Sequence, residues 1–409
     1  MTGTTNPTLS LAERDRRWEK TRAFMKERGF AALVVPGLRA RESFETWLSG
    51  ESIQGAIVFP ADGEPIYLTW IAFRIVGRDD PQKERAYWIG DIRAGLIGPG
   101  IVSALKEVGA EGERVGVIGL QSRGPLELEG YVPYTVWQTV LDGMPSARFE
   151  EVSIPFSYMM SQKGEEELSL ARASAAAGEA ACEALLDASA PGVSEAELYA
   201  AATSAVYRSG AMLAPPSLIV QSGRDCLTWG PPEWGAGAVS PRTIEAGELI
   251  STEVMPSYGG VETQQQMMIA IGPVDPVWRE LESVARRSYD AGLDALEPGA
   301  TFFEVCDAMA APLKEADCWH LSPLIHSVSP AYLLGTLHGG AERYFAEQYP
   351  WFRTMPAQTD AVLAEGMLFA FEPNACRGRT RVNIGGTVVV GASGPVELNS
   401  VPLRMHVVE

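Results

Sequence analysis

Apolar and polar positions change period along this chain in a way that divides it in two. Leu11 to Arg28 carries Trp18, Phe24 and Met25 at helical spacing against a charged opposite face, which predicts a helix. AALVVPG then predicts a short buried strand, and GAIVFPADGEPIYLTW a hairpin turning at Asp62-Gly63. Val102 to Val108 suits a helix and RVGVIG another buried strand. Alternating strands and helices predict a small α/β domain over residues 1–154, behind a loose polar stretch at residues 1–10.

From residue 155 the pattern changes. The Ala-rich run from Met160, acidic in its first turns, predicts a long helix that ends at Pro191-Gly192. Ser194, with Glu197 three residues later, opens a second helix as a capping box. Strands are expected at SLIVQSG, on both sides of Tyr258-Gly259-Gly260, and at LSPLIHSVS, GMLFAFEP and GTVVVG. Helices are expected over Pro276–Leu296 and Phe302–Ala316, and the aromatic-rich residues 330–360 read as an elaborated loop. The expectation for residues 155–409 is an α+β domain with helices on one face of a mainly antiparallel sheet.

Composition narrows the function classes. The 409 residues are 46% hydrophobic and carry a net charge of −19, a field that repels nucleic acid and anionic membranes. Five cysteines without a CxxC pair fit reduced thiols better than a disulfide framework. No run approaches the roughly 20 apolar residues of a membrane span, and the N-terminus has no apolar signal core. A cytoplasmic protein with a small-molecule substrate is the expectation.

The chemistry concentrates in Glu248–Gly272. Its two strands bring Glu253, Glu262 and Gln264 into one hairpin, and such groups are costly in a sheet face unless paired or used. Further along, His326 ends an apolar strand and Glu372 follows MLFAF.

The order of these motifs resembles a known superfamily. A helix opened by Gln162-Lys163-Gly164-Glu165-Glu166-Glu167, then SLIVQSG, a strand–YGG–strand, a His ending a strand, FEPN and GGTVVV looks like the pita-bread fold. That fold is shared by creatinase, aminopeptidase P, prolidase and methionine aminopeptidase. The likeness covers the whole chain and implies a creatinase-type N-terminal α/β domain before the pita-bread domain. In the metallopeptidase members five ligands hold the metals: two Asp, a His and two Glu. Matched residue by residue, they fall on Glu253, Gln264, His326, Glu372 and Gly385. Gln264 is a poor ligand for a hard cation, and Gly385 has no side chain. A two-metal site needs bridging carboxylates between ions about 3.5–4 Å apart. Creatinase and ectoine-hydrolase-like members likewise lack a full ligand set.

The resemblance therefore implies a metal-independent hydrolase without a cofactor, cleaving a C–N bond in an amidine, ureido compound or cyclic amide. The alternatives are an Xaa-Pro peptidase-like enzyme or lyase with a reduced single-metal site on Glu253, Glu262, His326 and Glu372, or a non-catalytic binding protein. His326 is the candidate proton carrier. Glu253 is the candidate nucleophile or base, and Glu372 orients His326 or holds the substrate. Gln264, Glu262, Trp229, Arg224 and His338 are candidate substrate-binding residues; Trp234 joins Trp229 in the same loop. Each has a structural alternative: a paired core acid, a polar ladder, or ordinary packing. For Glu372 that alternative is an ion pair with Arg377, Arg379 or Arg381. Relatives are commonly homodimers, and Trp70, Phe73 and Arg74 are the stretch expected to meet the partner.

Overall fold

The computed structural model describes residues 6–37, 44–51, 54–79, 86–121 and 132–409. Part of the polar N-terminal stretch, residues 1–5, lies outside these. The chain forms two compact units, Thr8–Met160 and a second that contains Ser161–Glu409.

The first unit is built on six strands: β1 (Ala32–Pro36), β2 (Gly55–Pro60), β3 (Ile66–Thr69), β4 (Asp91–Ala94), β5 (Arg114–Val117) and β6 (Arg148–Glu151). They form one sheet in the order β4-β3-β2-β1-β5-β6. The β1–β2 and β2–β3 pairs are antiparallel, while β3–β4, β1–β5 and β5–β6 are parallel. Helices Leu11–Arg28 and Ile97–Glu107 pack on it. Its central strands are apolar on both faces: Leu33, Val35, Ile57 and Phe59 join one core, and Val34, Ala56 and Val58 the other. The helix at Leu11 starts where expected, with the Ser10 side chain accepting from the Glu13 amide.

The second unit holds β7 (Met212–Gly223), β8 (Glu248–Tyr258), β9 (Val261–Glu262), β10 (Gln265–Ile271), β11 (Ile325–Ser327), β12 (Leu368–Phe371), β13 (Asn374–Arg377), β14 (Thr380–Asn383), β15 (Gly386–Gly391), β16 (Gly394–Glu397) and β17 (His406–Val408). These divide into three sheets where the sequence predicts one. The first runs β17-β10-β8-β7 with β9 beside β8, the second β11-β12-β15-β16, and the third is the β13–β14 hairpin. All pairs are antiparallel except β10–β17.

Alternation along β8 explains how this unit positions a site. Ile250 and Val254 turn to a core shared with Ala177, Ala181 and Leu185 of the helix Glu165–Ala188, and with Leu198 of the helix Glu195–Arg208. Ser251 and Glu253 therefore turn the other way. The turn at Gly259-Gly260 puts both residues at positive φ, 58° and 82°, which glycine adopts without steric cost. Past it the strand breaks at Thr263-Gln264. There the Gln264 backbone leaves the ladder and bonds Thr387: its N–H donates to Thr387 Oγ1 at 2.8 Å, and that hydroxyl donates to Gln264 O at 2.9 Å.

Candidate active site

Four of the predicted residues meet in one buried network. Gln264 Nε2 donates to Glu262 Oε1 at 3.0 Å, and Gln264 Oε1 lies 3.2 Å from His326 Nε2. His326 Nε2 also lies 3.4 Å from Glu372 Oε1. A fifth residue, Gln266, links the network from within: its Nε2 donates to Gln264 Oε1 at 3.3 Å and to Glu372 Oε2 at 3.4 Å. All five side chains are buried.

The two ring nitrogens of His326 face different groups. His326 Nδ1 faces the Ser327 carbonyl oxygen at 2.8 Å. Nε2 faces a carboxylate and the Gln264 amide oxygen, and the contact to Glu262 holds that amide in this orientation. Both ring nitrogens thus face acceptors, with the Glu372 carboxyl group beside Nε2.

Glu253 occupies the next row. Its backbone pairs with Gln266 in the β8–β10 register, so the two side chains share a face. Trp229 Nε1 donates to Glu253 Oε2 at 2.9 Å, and Arg381 Nη2 stands 3.8 Å from Oε1. Trp229 is itself 52% exposed, so an indole at the surface caps an acid beneath it.

The other candidates fall further out. Arg224 is exposed on an open pocket of about 460 Å³ walled by residues 221–228, Arg242, Glu248 and Arg379. His338 sits in the aromatic loop with its ring 4.6 Å from that of Phe352, and burial lowers its pKa. Trp234 packs edge-on against Tyr199 at 5.5 Å. His320 is buried with Nδ1 2.9 Å from the Ser322 carbonyl oxygen, as expected of a structural histidine. The arginines weighed as partners of Glu372 go elsewhere: Arg377 to Glu280, Arg379 to Asp225, and Arg381 towards Glu253.

Sequence reasoning missed Gln266, Arg381 and Asn383 as members of the site. Asn383 Oδ1 accepts from Ser251 Oγ at 2.9 Å. The Arg381-x-Asn383 alternation just before Gly385-Gly386 was the available signal, because it puts both side chains on one face of a strand.

The residues do not fit a pair of metal ions. Gln264 offers a neutral amide, and that amide is already bonded on both sides. At Gly385 a Cβ would overlap the Phe371 carbonyl oxygen and come within 2.7 Å of Gln266 Oε1, so the last ligand position is closed as well as empty of a side chain. Among the described residues no group of three or more His, Cys, Asp or Glu side chains is placed to hold a metal ion. The space between the acids is filled by glutamine.

Comparison with known proteins places this arrangement. The model of metallopeptidase family M24 matches residues 169–392. An X-Pro aminopeptidase from Thermotoga maritima has a similar structure, with a TM-score of 0.74 and 16% identity over 96% of this chain and 99% of that one. A dipeptidase from Mycobacterium ulcerans gives 0.72 at 19% identity, covering 98% and 99%. An Xaa-Pro dipeptidase from Bacillus anthracis gives 0.71 at 18%, covering 97% and 100%. No curated protein sequence matches. Among the described residues no helix is long and apolar enough to cross a membrane.

Proposed function

The chain belongs to metallopeptidase family M24, a family of hydrolases, and from that premise we propose that it hydrolyses a C–N bond of a small nitrogen-containing molecule without the family's metal pair. The substrate class we infer is an amidine, a ureido compound or a cyclic amide. The observation that carries the reading is the closed network of Glu262, Gln264, Gln266, His326 and Glu372, which fills the ligand positions with hydrogen bonds.

In this reading His326 is the general acid. An imidazolium held against Glu372 has a proton to give to the leaving nitrogen, so the acid role is favoured over water activation. Glu253 is the base: it takes a proton from water as the oxygen adds to the sp² carbon. The C–N bond then breaks as His326 protonates the nitrogen, and the Glu253 proton returns to His326. Displacing the Trp229 indole frees Glu253 for that role. Gln264 and Glu262 hold the substrate, and Glu372 keeps His326 in place. The exposed Trp70, Phe73 and Arg74 are the surface we assign to a second copy of the chain.

The structural neighbours favour a second reading: they are Xaa-Pro peptidases and dipeptidases, so a peptidase with one metal on Glu253, Glu262, His326 and Glu372 competes with the first. The donor set separates the two. A panel of ureido, amidine, cyclic-amide and Xaa-Pro substrates is assayed for amine or ammonia release before and after chelation. Turnover of a non-peptide substrate that survives chelation and falls at least ~100-fold in His326→Ala and Glu253→Gln supports the proposal. Turnover confined to Xaa-Pro dipeptides and lost on chelation overturns it.

A further inference from the structure

The short segment that carries Trp229 is held differently from the chain on either side of it. Before it, the Asp225 carbonyl oxygen accepts from the Arg381 N–H at 3.1 Å, and the Asp225 side chain accepts from Arg379 Nε at 2.8 Å. Cys226 is buried beside it, with Sγ 3.6 Å from the carbonyl oxygens of Gly223 and Leu249. After it, Trp234 packs edge-on against Tyr199, and the Gly235 N–H donates to the Pro232 carbonyl oxygen at 2.9 Å. Between these anchors, Thr228 to Pro231 make a single hydrogen bond with the described residues, the one from Trp229 Nε1 to Glu253 Oε2 at 2.9 Å.

Exposure and backbone shape point the same way. Thr228, Trp229 and Pro231 are exposed, while Glu253 beneath the indole is buried. Few hydrogen bonds and exposed side chains mark a segment that opens locally at low cost, without disturbing the sheet below it. Its two ends are at positive φ: Cys226 at 52° and Gly230 at 129°. A Cβ at Gly230 would meet nothing within 4 Å, so the backbone angle, and not the space, calls for glycine there. Hinges of this kind are a few loop positions that absorb a change in φ and ψ.

We propose that Thr228–Pro231 is a lid over Glu253, latched by the Trp229 indole and opening about Cys226 and Gly230, so that the chain rests with its own side chain on the acid. A ligand reaches Glu253 only by displacing the indole. The lid therefore favours molecules that bring an N–H donor of their own to replace the lost bond. Its purpose rests on the reading of Glu253 as the base of a hydrolase, but it is tested without turnover.

The probe is a water-soluble carbodiimide with glycinamide, which converts accessible carboxyl groups to amides, applied to the full chain and read by peptide mass spectrometry. Exposed Glu64 is the fast reference, and buried Glu262, which the indole does not touch, reports general loosening. In the wild type Glu253 labels far more slowly than Glu64. Trp229→Phe keeps a ring and removes the latch, and it speeds Glu253 at least threefold, the population shift expected of one hydrogen bond. Trp229→Ala removes the cover and speeds it at least tenfold. Gly230→Ala leaves the indole in place but strains the closed backbone, and it speeds Glu253 at least threefold. In all three Glu262 changes less than twofold. A wild-type Glu253 that labels as fast as Glu64 overturns the lid, as does an unchanged Glu253 rate in any of the three variants. So does a rise at Glu262 in step with Glu253, because the variant then loosens the whole unit. Amine release is followed in parallel. A lid that behaves as expected on a chain without hydrolysis sinks the reaction and leaves the lid, and hydrolysis by a chain whose Glu253 is open in the wild type does the reverse.

Discussion

Replacing Gln264 with leucine removes the centre of the network at nearly constant volume. The side chain makes three hydrogen bonds: to Glu262 at 3.0 Å, with His326 at 3.2 Å and from Gln266 at 3.3 Å. The one to the Glu262 carboxylate is worth ~1.5–3 kcal/mol and the other two ~0.5–1.5 kcal/mol each. Leucine leaves those partners buried and short of a bond, so Gln264→Leu should cost about 4 kcal/mol. For a unit of this size that lowers the melting temperature by roughly 10 °C. Chemical denaturation of the full chain checks it: the midpoint falls while the slope stays constant. Gln264→Glu sharpens the test. With no metal ion between them, the new carboxylate loses the hydrogen bond to Glu262 and puts three carboxylates around the single His326 ring, so it is destabilising too; with a resident metal pair it would restore a ligand and stabilise. A change below about 1 kcal/mol in Gln264→Leu, or a stabilising Gln264→Glu, would refute the network as described.

Further consequences are accessible to simple measurements. Burial, more than the like charge of His338, lowers the pKa of His320 from its ordinary 6.5 to about 4, against the opposing pull of the Ser322 carbonyl. Both folded and unfolded chains are neutral there above pH 6.5. Between pH 6.5 and 4 only the unfolded chain takes the proton, so stability falls as the pH drops, by roughly 3 kcal/mol in total. His320→Gln should flatten that slope in pH-dependent melts, and an unchanged slope would contradict the assignment. At Gly385, an added Cβ overlaps the Phe371 backbone. Gly385→Ala should therefore cost at least ~2 kcal/mol, and Gly385→Glu should gain no thermal stabilisation from added Mn²⁺; a metal-induced rise in melting temperature would show that the ligand position can be rebuilt.

Much of this was legible in the sequence because local signals coincided with tertiary ones. The capping box at Ser194 and Glu197 forms as read, and alternation along β8, with Ile250 and Val254 in the core, turns Glu253 the other way. The three-sheet division was not legible. It depends on long-range pairings such as Gln266 with Gly385, which no periodicity encodes. The same holds for the site. His326, Glu372 and Gln264 were placed by motif order, and Glu262 by its place beside Gln264 in the hairpin. The engagement of Arg381 with Glu253 spans 128 positions, and only the fold could reveal it. Trp229 was expected as a substrate-binding residue, and its bond to Glu253 makes it a cap on that acid.

The most direct test of a metal-free hydrolytic site is elemental analysis of the chain purified without chelators, paired with turnover before and after chelation. The account predicts well under one equivalent of Mn, Fe, Co or Zn per chain and turnover unaffected by chelator. One or two tightly bound equivalents, with activity lost on their removal and regained on their return, would contradict it.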